Sequence, residues 1–541
     1  MNKLSYDNGI SSTPLLGITI SEQLKQTVDK YPDNEALVVP YQNYRASYKE
    51  FWEQVEEVAK GILSYGVKKG DRVGIWSPNR YEWVLVQFAT CRIGVIMVNV
   101  NPAYKAAELK YALKQSEISL LIMSKGFRQT NYLDILNEVR PSCIHLKHIV
   151  VIDHDWQTMI DAGKKVSDEQ LHELESSLQF DDPINIQYTS GTTGFPKGAT
   201  LSHHNILNNG FFIGERLGYT EKDKVAIPVP LYHCFGMVLA NLAIITHGSC
   251  MVLTGEAFDP EVVLKTVQDE KCTSLYGVPL MFIAELNHPN FDKYDYSSLR
   301  TGIMAGASCP ESAMKAVREK MNMKEIGICY GMTETSPVST QTFVDDTEYR
   351  RCATVGKVHP HLEIKIIDPE TGKIVPRGEK GEFCTRGYSV MLKYWNNPEA
   401  TAAVIDEGRW MHTGDLAEMD DDGYVKIVGR IKDLIIRGGE NISPFEIEEY
   451  LHNHDEIKDV QVIGVPDAKY GEQVMAWVVL KEGSRVTEDE LVKYCKGQIA
   501  TYKIPHYWKF VDEFPTTVTG KVRKVEMREI SARELGLEQR K

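Results

Sequence analysis

The sequence predicts an α/β protein with a large N-terminal body of mostly parallel sheets and helices, a small antiparallel β-subdomain, and a small α+β C-terminal domain. Three observations support this prediction. Helical and strand-like patterns alternate along the first part of the chain, short alternating strands begin near residue 362, and a polar segment at 429–433 precedes a stretch with its own helices and strands. Alternating helices and strands are typical of parallel sheets.

Composition limits the classes of function. The chain has 541 residues, of which 43% are apolar and 25% are charged, and its formal net charge is −14. That length allows about two to four domains with large cores. The apolar fraction excludes a mainly disordered chain. The acidity excludes a global basic surface for nucleic acid, although it leaves room for a basic pocket.

The first elements follow clear local signals. Ser47 and Glu50 form a capping box at the start of a helix. The elements predicted from there are a helix over 51–62, a strand over 73–76, a helix over 106–114 and a strand over 118–123. The run 236–253 has no formal charge and reaches the lower length limit for a membrane span. Since it also contains several polar residues, we predict a buried helix followed by a strand.

The last part of the chain predicts a separate domain. A turn at 368–372 belongs to the small sheet, and the segment 429–433 marks a boundary between a domain at 1–430 and one at 431–541. Ser443 is predicted to cap a helix that begins at Pro444, with Glu446 completing a capping box and Ile442 and Ile447 forming a hydrophobic staple. Strands at 460–465 and 474–479 and a helix introduced by Thr487 and Glu490 follow.

Cysteine usage and the chain ends suggest a cytoplasmic protein. The ten cysteines include no Cys-x-x-Cys pair, which is typical of reduced, buried thiols. The N-terminal residues contain no apolar signal region, and the C-terminal residues LEQRK are not a peroxisomal signal.

The segment 188–198, YTSGTTGFPKG, predicts an anion-binding loop between a strand and a helix that begins near Ser202. Glycines let backbone N–H groups approach a phosphate, hydroxyls donate hydrogen bonds and a lysine adds positive charge. The spacing matches neither the GxxxxGK[ST] loop nor a GxGxxG motif. The predicted phosphate-binding residues are Thr189, Ser190, Gly191, Thr192, Thr193, Gly194 and Lys197.

With its neighbours, this loop resembles the phosphate loop of the adenylate-forming enzymes, which include acyl-CoA synthetases, luciferases and peptide-synthetase adenylation domains. The resemblance covers nearly the whole chain, because seven further segments follow in order. They are PLYH at 230–233, AGAS at 305–308, YGMTE at 330–334, WMHTGD at 410–415, GRIKD at 429–433, GGENIS at 438–443 and PTTVTGK at 515–521. The segments at 330 and 434 are most similar to bacterial fatty-acid–CoA ligases of the medium-chain type.

The resemblance implies ATP, Mg²⁺ and coenzyme A as cofactor and co-substrates, and it assigns roles in the first half-reaction. Lys521 would be the main catalytic cation, Thr333 would contact the α-phosphate and Glu334 would bind Mg²⁺. The residues expected to bind adenosine are Gly306, Ala307, Ser308, Tyr330, Gly331, Asp415, Ile427 and Arg430. In isolation Tyr330 would more often be a core aromatic and Asp415 a turn residue. Thr519 and Lys524 depart from the family's usual serine and arginine.

For the second half-reaction, the resemblance makes Lys432 the hinge of a mobile C-terminal domain and assigns Gly438 and Gly439 to the coenzyme A step. His233 is expected near the carboxylate, and with Met237 it would line an acyl pocket. His233 replaces the aspartate that amino-acid-activating relatives carry, which favours an acid without an amino group.

Three functions remain open from the sequence. The first is a fatty-acid–CoA ligase. The second is an adenylate-forming ligase that activates an aromatic acid or loads a separate carrier protein. The third is a nucleotide-binding scaffold without catalysis. The expected partners are small molecules, with no nucleic acid and no transmembrane segment. Peripheral membrane contact, chain length of the acid and oligomeric state are not fixed by the sequence.

Overall fold

The computed structural model describes residues 3–189, 196–307, 309–438, 440–517 and 521–537. Its strands, numbered in chain order, are β1 Tyr6–Asn8, β2 Glu35–Val39, β3 Tyr44–Ser47, β4 Arg72–Trp76, β5 Ile96–Val100, β6 Leu120–Met123, β7 Gly126–Phe127, β8 Thr130–Asn131, β9 His148–Val151, β10 Pro183–Thr189, β11 Lys197–Ser202, β12 Lys224–Ile227, β13 Cys250–Leu253, β14 Ser274–Gly277, β15 Thr301–Met304, β16 Glu325–Gly331, β17 Val338–Gln341, β18 Lys357–Val358, β19 Leu362–Ile367, β20 Gly381–Gly387, β21 Lys393–Tyr394, β22 Met411–Met419, β23 Val425–Arg430, β24 Ile435–Arg437, β25 Glu440–Ile442, β26 Ile457–Asp467, β27 Gly471–Leu480 and β28 Tyr507–Phe510.

The helices, in the same numbering, are α1 Ile20–Lys30, α2 Tyr48–Leu63, α3 Tyr81–Ile93, α4 Ala106–Gln115, α5 Tyr132–Val139, α6 Ile152–Gly163, α7 Asp168–Ser176, α8 His203–Leu217, α9 Ala243–Ile245, α10 Pro260–Glu270, α11 Pro279–Leu286, α12 Glu311–Lys320, α13 Glu348–Ala353, α14 Pro398–Ala402, α15 Pro444–His452, α16 Glu488–Cys495 and α17 Lys524–Glu534. Residues Phe235–Leu242 form a π-helix that leads into α9.

The strands form a seven-stranded sheet, a nine-stranded sheet, two five-stranded sheets of which one is C-terminal, and a two-stranded sheet of β7 and β8. The strand orders are β21-β11-β10-β5-β4-β6-β9, β18-β17-β16-β15-β14-β12-β13-β2-β3, β1-β19-β20-β22-β23 and β25-β24-β27-β26, with β28 against β27. Both of the first two sheets are parallel in their centres. The nine-stranded sheet is antiparallel at both edges, whereas the seven-stranded sheet is antiparallel only at its β21 end, since its other edge strand β9 pairs parallel with β6. The predicted α/β class, with mostly parallel large sheets and a separate C-terminal sheet, is confirmed.

The chain forms two compact units. One contains Asp7–Ile364 and Thr385–Met411, and the other contains Met1–Tyr6, Lys365–Cys384 and His412–Lys541. The predicted boundary at 430/431 does not coincide with this division, because residues 412–430 group with the C-terminal residues. The division describes compactness and not movement, so the mobile domain at 431–541 stays a prediction.

Several local predictions are confirmed by hydrogen bonds. Ser47 and Glu50 form the capping box of α2, and Thr487 and Glu490 form that of α16. The predicted turn at 368–372 closes with a bond from the Gly372 N–H to the Asp368 carbonyl at 2.9 Å.

The capping box predicted at 443–446 is wrong. Ser443 precedes α15 and Pro444 is its first residue, as expected, but Ser443 makes no side-chain cap. Its hydroxyl instead donates to the Val428 carbonyl at 2.7 Å. The Glu446 carboxylate pairs with Lys380 and Lys503. Tertiary partners therefore compete successfully for both side chains.

The charge-free run at 236–253 is a buried core segment. It contains most of the π-helix, then α9 and then β13, and its apolar side chains are buried. Among the described residues, no helix combines the length and the apolarity that crossing a bilayer requires.

All ten cysteines are free thiols in the described part of the chain. Nine are buried, and Cys309 is partly exposed. Burial raises the pKa of the Cys495 thiol to about 11. The predicted pattern of reduced, mostly buried thiols is confirmed.

Candidate functional site

The predicted phosphate loop connects two paired strands of the larger unit. β10 and β11 are antiparallel, and Thr189 is the strand partner of Lys197. The two residues that flank the loop are therefore fixed opposite each other. Ser202 caps α8 directly after β11, which confirms the helix predicted near Ser202. The predicted residues Ser190, Gly191, Thr192, Thr193 and Gly194 lie outside the described residues.

The carboxylate of Glu334 lies beside the start of this loop. Glu334 is only 4% exposed, and its Oε1 accepts a hydrogen bond from the Thr189 hydroxyl at 3.0 Å. A second hydroxyl, from Tyr394, donates to the same oxygen at 2.8 Å. Among the described residues, Glu334 forms no ion pair. A buried carboxylate without a cationic partner is costly.

This environment fits a hard divalent cation. Mg²⁺ prefers oxygen ligands and usually takes one or two carboxylates together with water and phosphate oxygens. Glu334 would hold such an ion, and Thr189 and Tyr394 orient its carboxylate. When bound, the ion supplies positive charge beside the phosphates of a nucleotide.

Thr333 and His233 both contact the side chain of Cys234. The Thr333 hydroxyl is 3.6 Å from the Cys234 sulfur, and that sulfur is 3.6 Å from His233 Nδ1. The Phe235 N–H donates to the same His233 nitrogen at 3.2 Å. Nδ1 is therefore the acceptor in this arrangement, which places the ring proton on Nε2.

The predicted base-binding residues follow neighbouring parallel strands. β15 and β16 pair in parallel, with Thr301 opposite Glu325. Gly306 and Ala307 follow β15, and Tyr330 and Gly331 end β16. Ligands of open α/β sheets bind beyond the carboxyl ends of such strands. Ser308 lies outside the described residues.

Two glycines of this edge are required by geometry. Gly306 has φ +90°, a region that side chains disfavour. A Cβ on Gly331 would lie 1.7 Å from the Pro337 carbonyl oxygen. Gly306 therefore has a backbone conformation that favours glycine, and Gly331 has no room for a side chain. Both lie where we predict contacts with a base.

Met237 belongs to the hydrophobic core of the larger unit. It is 1% exposed, and its sulfur is 3.4 Å from the Asn99 amide nitrogen and 3.5 Å from that of Gln187. The π-helix that contains Met237 widens the backbone here, a feature that often marks functional sites. Its role in an acyl pocket stays a prediction.

The smaller unit contains the predicted ribose residues. Asp415 and Arg430 are partners across the β22–β23 hairpin, and Arg430 Nε is 2.8 Å from Asp415 Oδ1. Asp415 is 6% exposed, whereas Arg430 is about one-third exposed. Ile427 lies half-buried on the same strand as Arg430. A carboxylate held in this way can accept hydrogen bonds from a diol.

The carboxylate of Glu382 holds the turn before Asp415 in place through contacts with Gly414 and His412. Glu382 Oε1 accepts from the Gly414 N–H at 3.0 Å, and Oε2 lies 3.0 Å from His412 Nδ1. The Thr413 hydroxyl accepts from the Asp415 N–H at 3.1 Å. Sequence reasoning missed Glu382, because no local signal links it to a motif 30 residues later.

Lys521 lies in the electrostatic neighbourhood of this ribose cluster. Its N–H donates to the Thr517 hydroxyl at 3.1 Å, and its carbonyl accepts from the Thr517 N–H at 2.8 Å. Desolvation, followed by the positive charge of Arg430, lowers the pKa of Lys521 to about 8. The residue as a whole keeps contact with solvent, and the positive charges of Arg430 and Lys432 add to desolvation in lowering this pKa.

The hinge candidate Lys432 lies in a short 3₁₀ turn, Ile431–Asp433, directly after β23. Desolvation and the neighbouring Arg430 lower the pKa of its ammonium. Asp433 binds Arg528 at 2.9 Å, which connects this turn to α17.

Gly438 follows β24 with φ +61°, and its N–H donates to the Tyr470 carbonyl at 2.7 Å. Gly439, the other residue expected to act in the coenzyme A step, lies outside the described residues.

Comparison with known proteins gives the family. The AMP-binding enzyme family matches residues 24–395, and the AMP-binding enzyme C-terminal domain matches residues 446–521. The chain belongs to the AMP-binding enzyme family. The predicted resemblance and the expectation of an enzyme are thereby confirmed.

Relatives within this AMP-binding enzyme family cover almost the whole chain. The YngI protein of Bacillus subtilis (strain 168), named as an acyl-CoA synthetase on a provisional basis, is 50% identical over 95% of this chain and 97% of its own length. The mitochondrial medium-chain acyl-CoA ligase ACSF2 of Danio rerio is 45% identical over 98% of this chain and 91% of its own.

A solved structure of the family shows the same fold. It is the anthranilate CoA ligase AuaEII in complex with anthranoyl-AMP, with a TM-score of 0.84, 27% identity and coverage of 97% of this chain and 99% of that one. The assignment of individual site residues in this AMP-binding enzyme is not tested by these likenesses and stays a prediction.

Proposed function

We propose that this AMP-binding enzyme is an ATP-dependent fatty-acid–CoA ligase. In the first half-reaction, a carboxylate oxygen attacks the α-phosphorus of ATP, the bond to the β-phosphate oxygen breaks, and acyl-adenylate and pyrophosphate form. In the second, the thiol of coenzyme A attacks the acyl carbon, loses its proton and releases AMP. The observation that carries the proposal is the buried Glu334, which lies beside Thr189 at the start of the phosphate loop and has no ion-pair partner among the described residues.

The residues of the larger unit support the first half-reaction. Phosphoryl-type transfer depends on positioning and on positive charge near the phosphates. Lys197 and the hydroxyl of Thr189 flank the loop, and Thr333 precedes Glu334. We assign Lys197 and Thr333 to phosphate oxygens and Glu334 to the accompanying Mg²⁺.

The residues of the smaller unit fit further roles in the proposed reaction. Asp415 would accept the ribose hydroxyls, with Arg430 holding its carboxylate in place. Lys521 would supply a cation to the carboxylate and the α-phosphate. Its neighbourhood with Asp415 and Arg430 supports the adenylation role. Lys432 would act as the hinge that withdraws Lys521 before the thiol step.

The acid substrate is the finer part of the proposal. The π-helix Phe235–Leu242 contains no charged residue, and its side chains are buried, which suits an apolar acyl chain. The name of the zebrafish relative also favours a medium-chain acid. The name of AuaEII favours an aromatic acid as the alternative. A cytoplasmic location is likewise proposed from sequence alone, and the mitochondrial relatives leave it untested.

The deciding experiment is a coenzyme A thioester assay with straight-chain acids of increasing length and with anthranilate. We expect the highest kcat/KM for a straight-chain acid of medium length. A preference for anthranilate would overturn the substrate, and pyrophosphate release without thioester would overturn coenzyme A as the acceptor. Lys521→Ala provides the control for turnover that depends on this site.

A further inference from the structure

Tyr394 lies at the centre of the cluster around Glu334, although no motif pointed to it. It belongs to β21, which pairs antiparallel with β11 and places Tyr394 opposite Ala199. Its side chain is 4% exposed, and its hydroxyl donates to Glu334 Oε1 at 2.8 Å. The strand that follows the phosphate loop therefore carries Tyr394 to the carboxylate.

Two hydroxyls converge on the same oxygen of Glu334. Thr189 donates to Oε1 at 3.0 Å, in addition to Tyr394, and neither hydroxyl contacts Oε2. The backbone of Glu334 is also fixed, because its carbonyl accepts from the Met391 N–H at 2.8 Å. With Oε1 occupied and the backbone anchored, the carboxylate has one oxygen available to a ligand.

Tyr394 is the donor in this pair, because a carboxylate oxygen accepts hydrogen bonds. Burial, reinforced by the negative charge of Glu334, raises the pKa of the Tyr394 hydroxyl far above its usual value. Its hydrogen bond to a charged acceptor is of the stronger class.

The ring of Tyr394 also contacts Lys197. The Lys197 Nζ lies 5.2 Å from the ring centroid, within the range of a cation–π interaction. Lys197 forms no ion pair with Glu334 among the residues that the structure describes. The aromatic ring therefore offers the ammonium a site other than the carboxylate.

We propose that Tyr394 is a positioning residue that turns Glu334 Oε2 toward the divalent cation accompanying ATP and keeps the ammonium of Lys197 off that carboxylate. This inference rests on the proposed function, because it takes ATP with a divalent cation as the ligand. Nothing in it requires a particular acid substrate.

The test compares ATP binding with and without Mg²⁺ in Tyr394→Phe, measured by isothermal titration calorimetry. The variant keeps the ring and loses only the hydroxyl. Since a hydrogen bond to a charged group contributes enough to change affinity about tenfold or more, we expect roughly tenfold weaker binding of Mg·ATP. Binding of metal-free ATP should change less than about twofold.

The matched control is Tyr132→Phe. Tyr132 is fully buried in the same unit, and its hydroxyl donates to the Pro102 carbonyl at 2.7 Å. Its loss removes one buried hydrogen bond without touching Glu334, so both binding constants should stay at the wild-type values. Thermal unfolding of all variants shows whether Tyr394→Phe is folded, and Thr189→Val tests the second donor to Oε1 if it is not.

The outcomes separate this inference from the proposed function. Failure of the unmodified enzyme to bind Mg·ATP would contradict the function itself. If the unmodified enzyme binds Mg·ATP, equal affinities in Tyr394→Phe and wild type would overturn the positioning role alone. An equal loss with and without the metal would also overturn it, since a general packing defect does not distinguish the two ligands.

Discussion

The pH dependence of adenylation tests the placement of Lys521. The ammonium must keep its proton to stabilise negative charge on the α-phosphate, and its pKa is lowered to about 8. The protonated fraction is then about nine-tenths at pH 7 and about one-tenth at pH 9. We expect kcat/KM for ATP to fall as pH rises through about 8, because this parameter reports the free enzyme.

The charges around Lys521 explain why we expect this fall in kcat/KM, the basic limb of the pH profile, at so low a pH. Arg430 and Lys432 lower the pKa of Lys521, whereas Asp415 and Asp433 raise it. Asp415 is already neutralised by Arg430 and Asp433 by Arg528. The carboxylates therefore compensate only in part for desolvation and for the like charges, and the proton leaves more easily than from an isolated lysine.

The assay is ATP–pyrophosphate exchange between pH 6.5 and 9.5. This reaction contains no coenzyme A, so titration of the coenzyme A thiol does not affect the profile. Lys521→Ala should lower exchange at pH 7 on the order of 10²–10³-fold. Lys521→Arg should lose the basic limb, because a guanidinium stays protonated over this range. Lys524→Arg is the control, since Lys524 binds Glu448 at 2.6 Å.

Two results would refute this reasoning. One is an unchanged basic limb in Lys521→Arg, which would assign the titration to another group. The other is an exchange rate in Lys521→Ala within a few-fold of wild type. The shape of the pH profile, rather than the absolute rate of the arginine variant, decides the first point.

Four further predictions follow from the described contacts. Glu382→Ala should weaken AMP binding roughly tenfold by calorimetry, since the turn before Asp415 loses its acceptor. Gly331→Ala should lower the melting temperature severely because its Cβ would overlap the Pro337 carbonyl, whereas Gly372→Ala, with nothing within 4 Å, should cost only about 1 kcal/mol. Ser443→Ala should cost about 1 kcal/mol in urea unfolding through the lost bond to Val428, and a cost above 3 kcal/mol would contradict that account. Lys432→Pro should retain pyrophosphate exchange and slow thioester formation in rapid-quench measurements; equal loss of both steps would argue against the hinge.

The fold was largely accessible from sequence where the signals are local. The capping boxes of Ser47 and Thr487 depend on residues three positions apart, and both form as predicted. Ser443 shows the limit of such signals. Its position before the helix is right, but its hydroxyl donates to the carbonyl of Val428 in β23, which only the folded chain brings near.

The residues of the candidate site also divide into those with a local sequence signal and those without one. Contiguous motifs identified Glu334 and Asp415, whose chemistry is evident from residue type and setting. Tyr394 and Glu382 escaped notice because each acts through a partner distant in sequence, 60 residues away for the first and about 30 for the second. Such supporting residues become visible only through the pairing of strands.

The ten free cysteines give this protein built-in reporters of local opening. Nine thiols are shielded in the folded state, and they are distributed over both compact units, with Cys384 and Cys495 in the smaller one. A thiol reagent reaches such a side chain only when its surroundings open. The labelling rate of each cysteine, resolved by peptide mass, would therefore map which regions loosen during the catalytic cycle without any engineered probe.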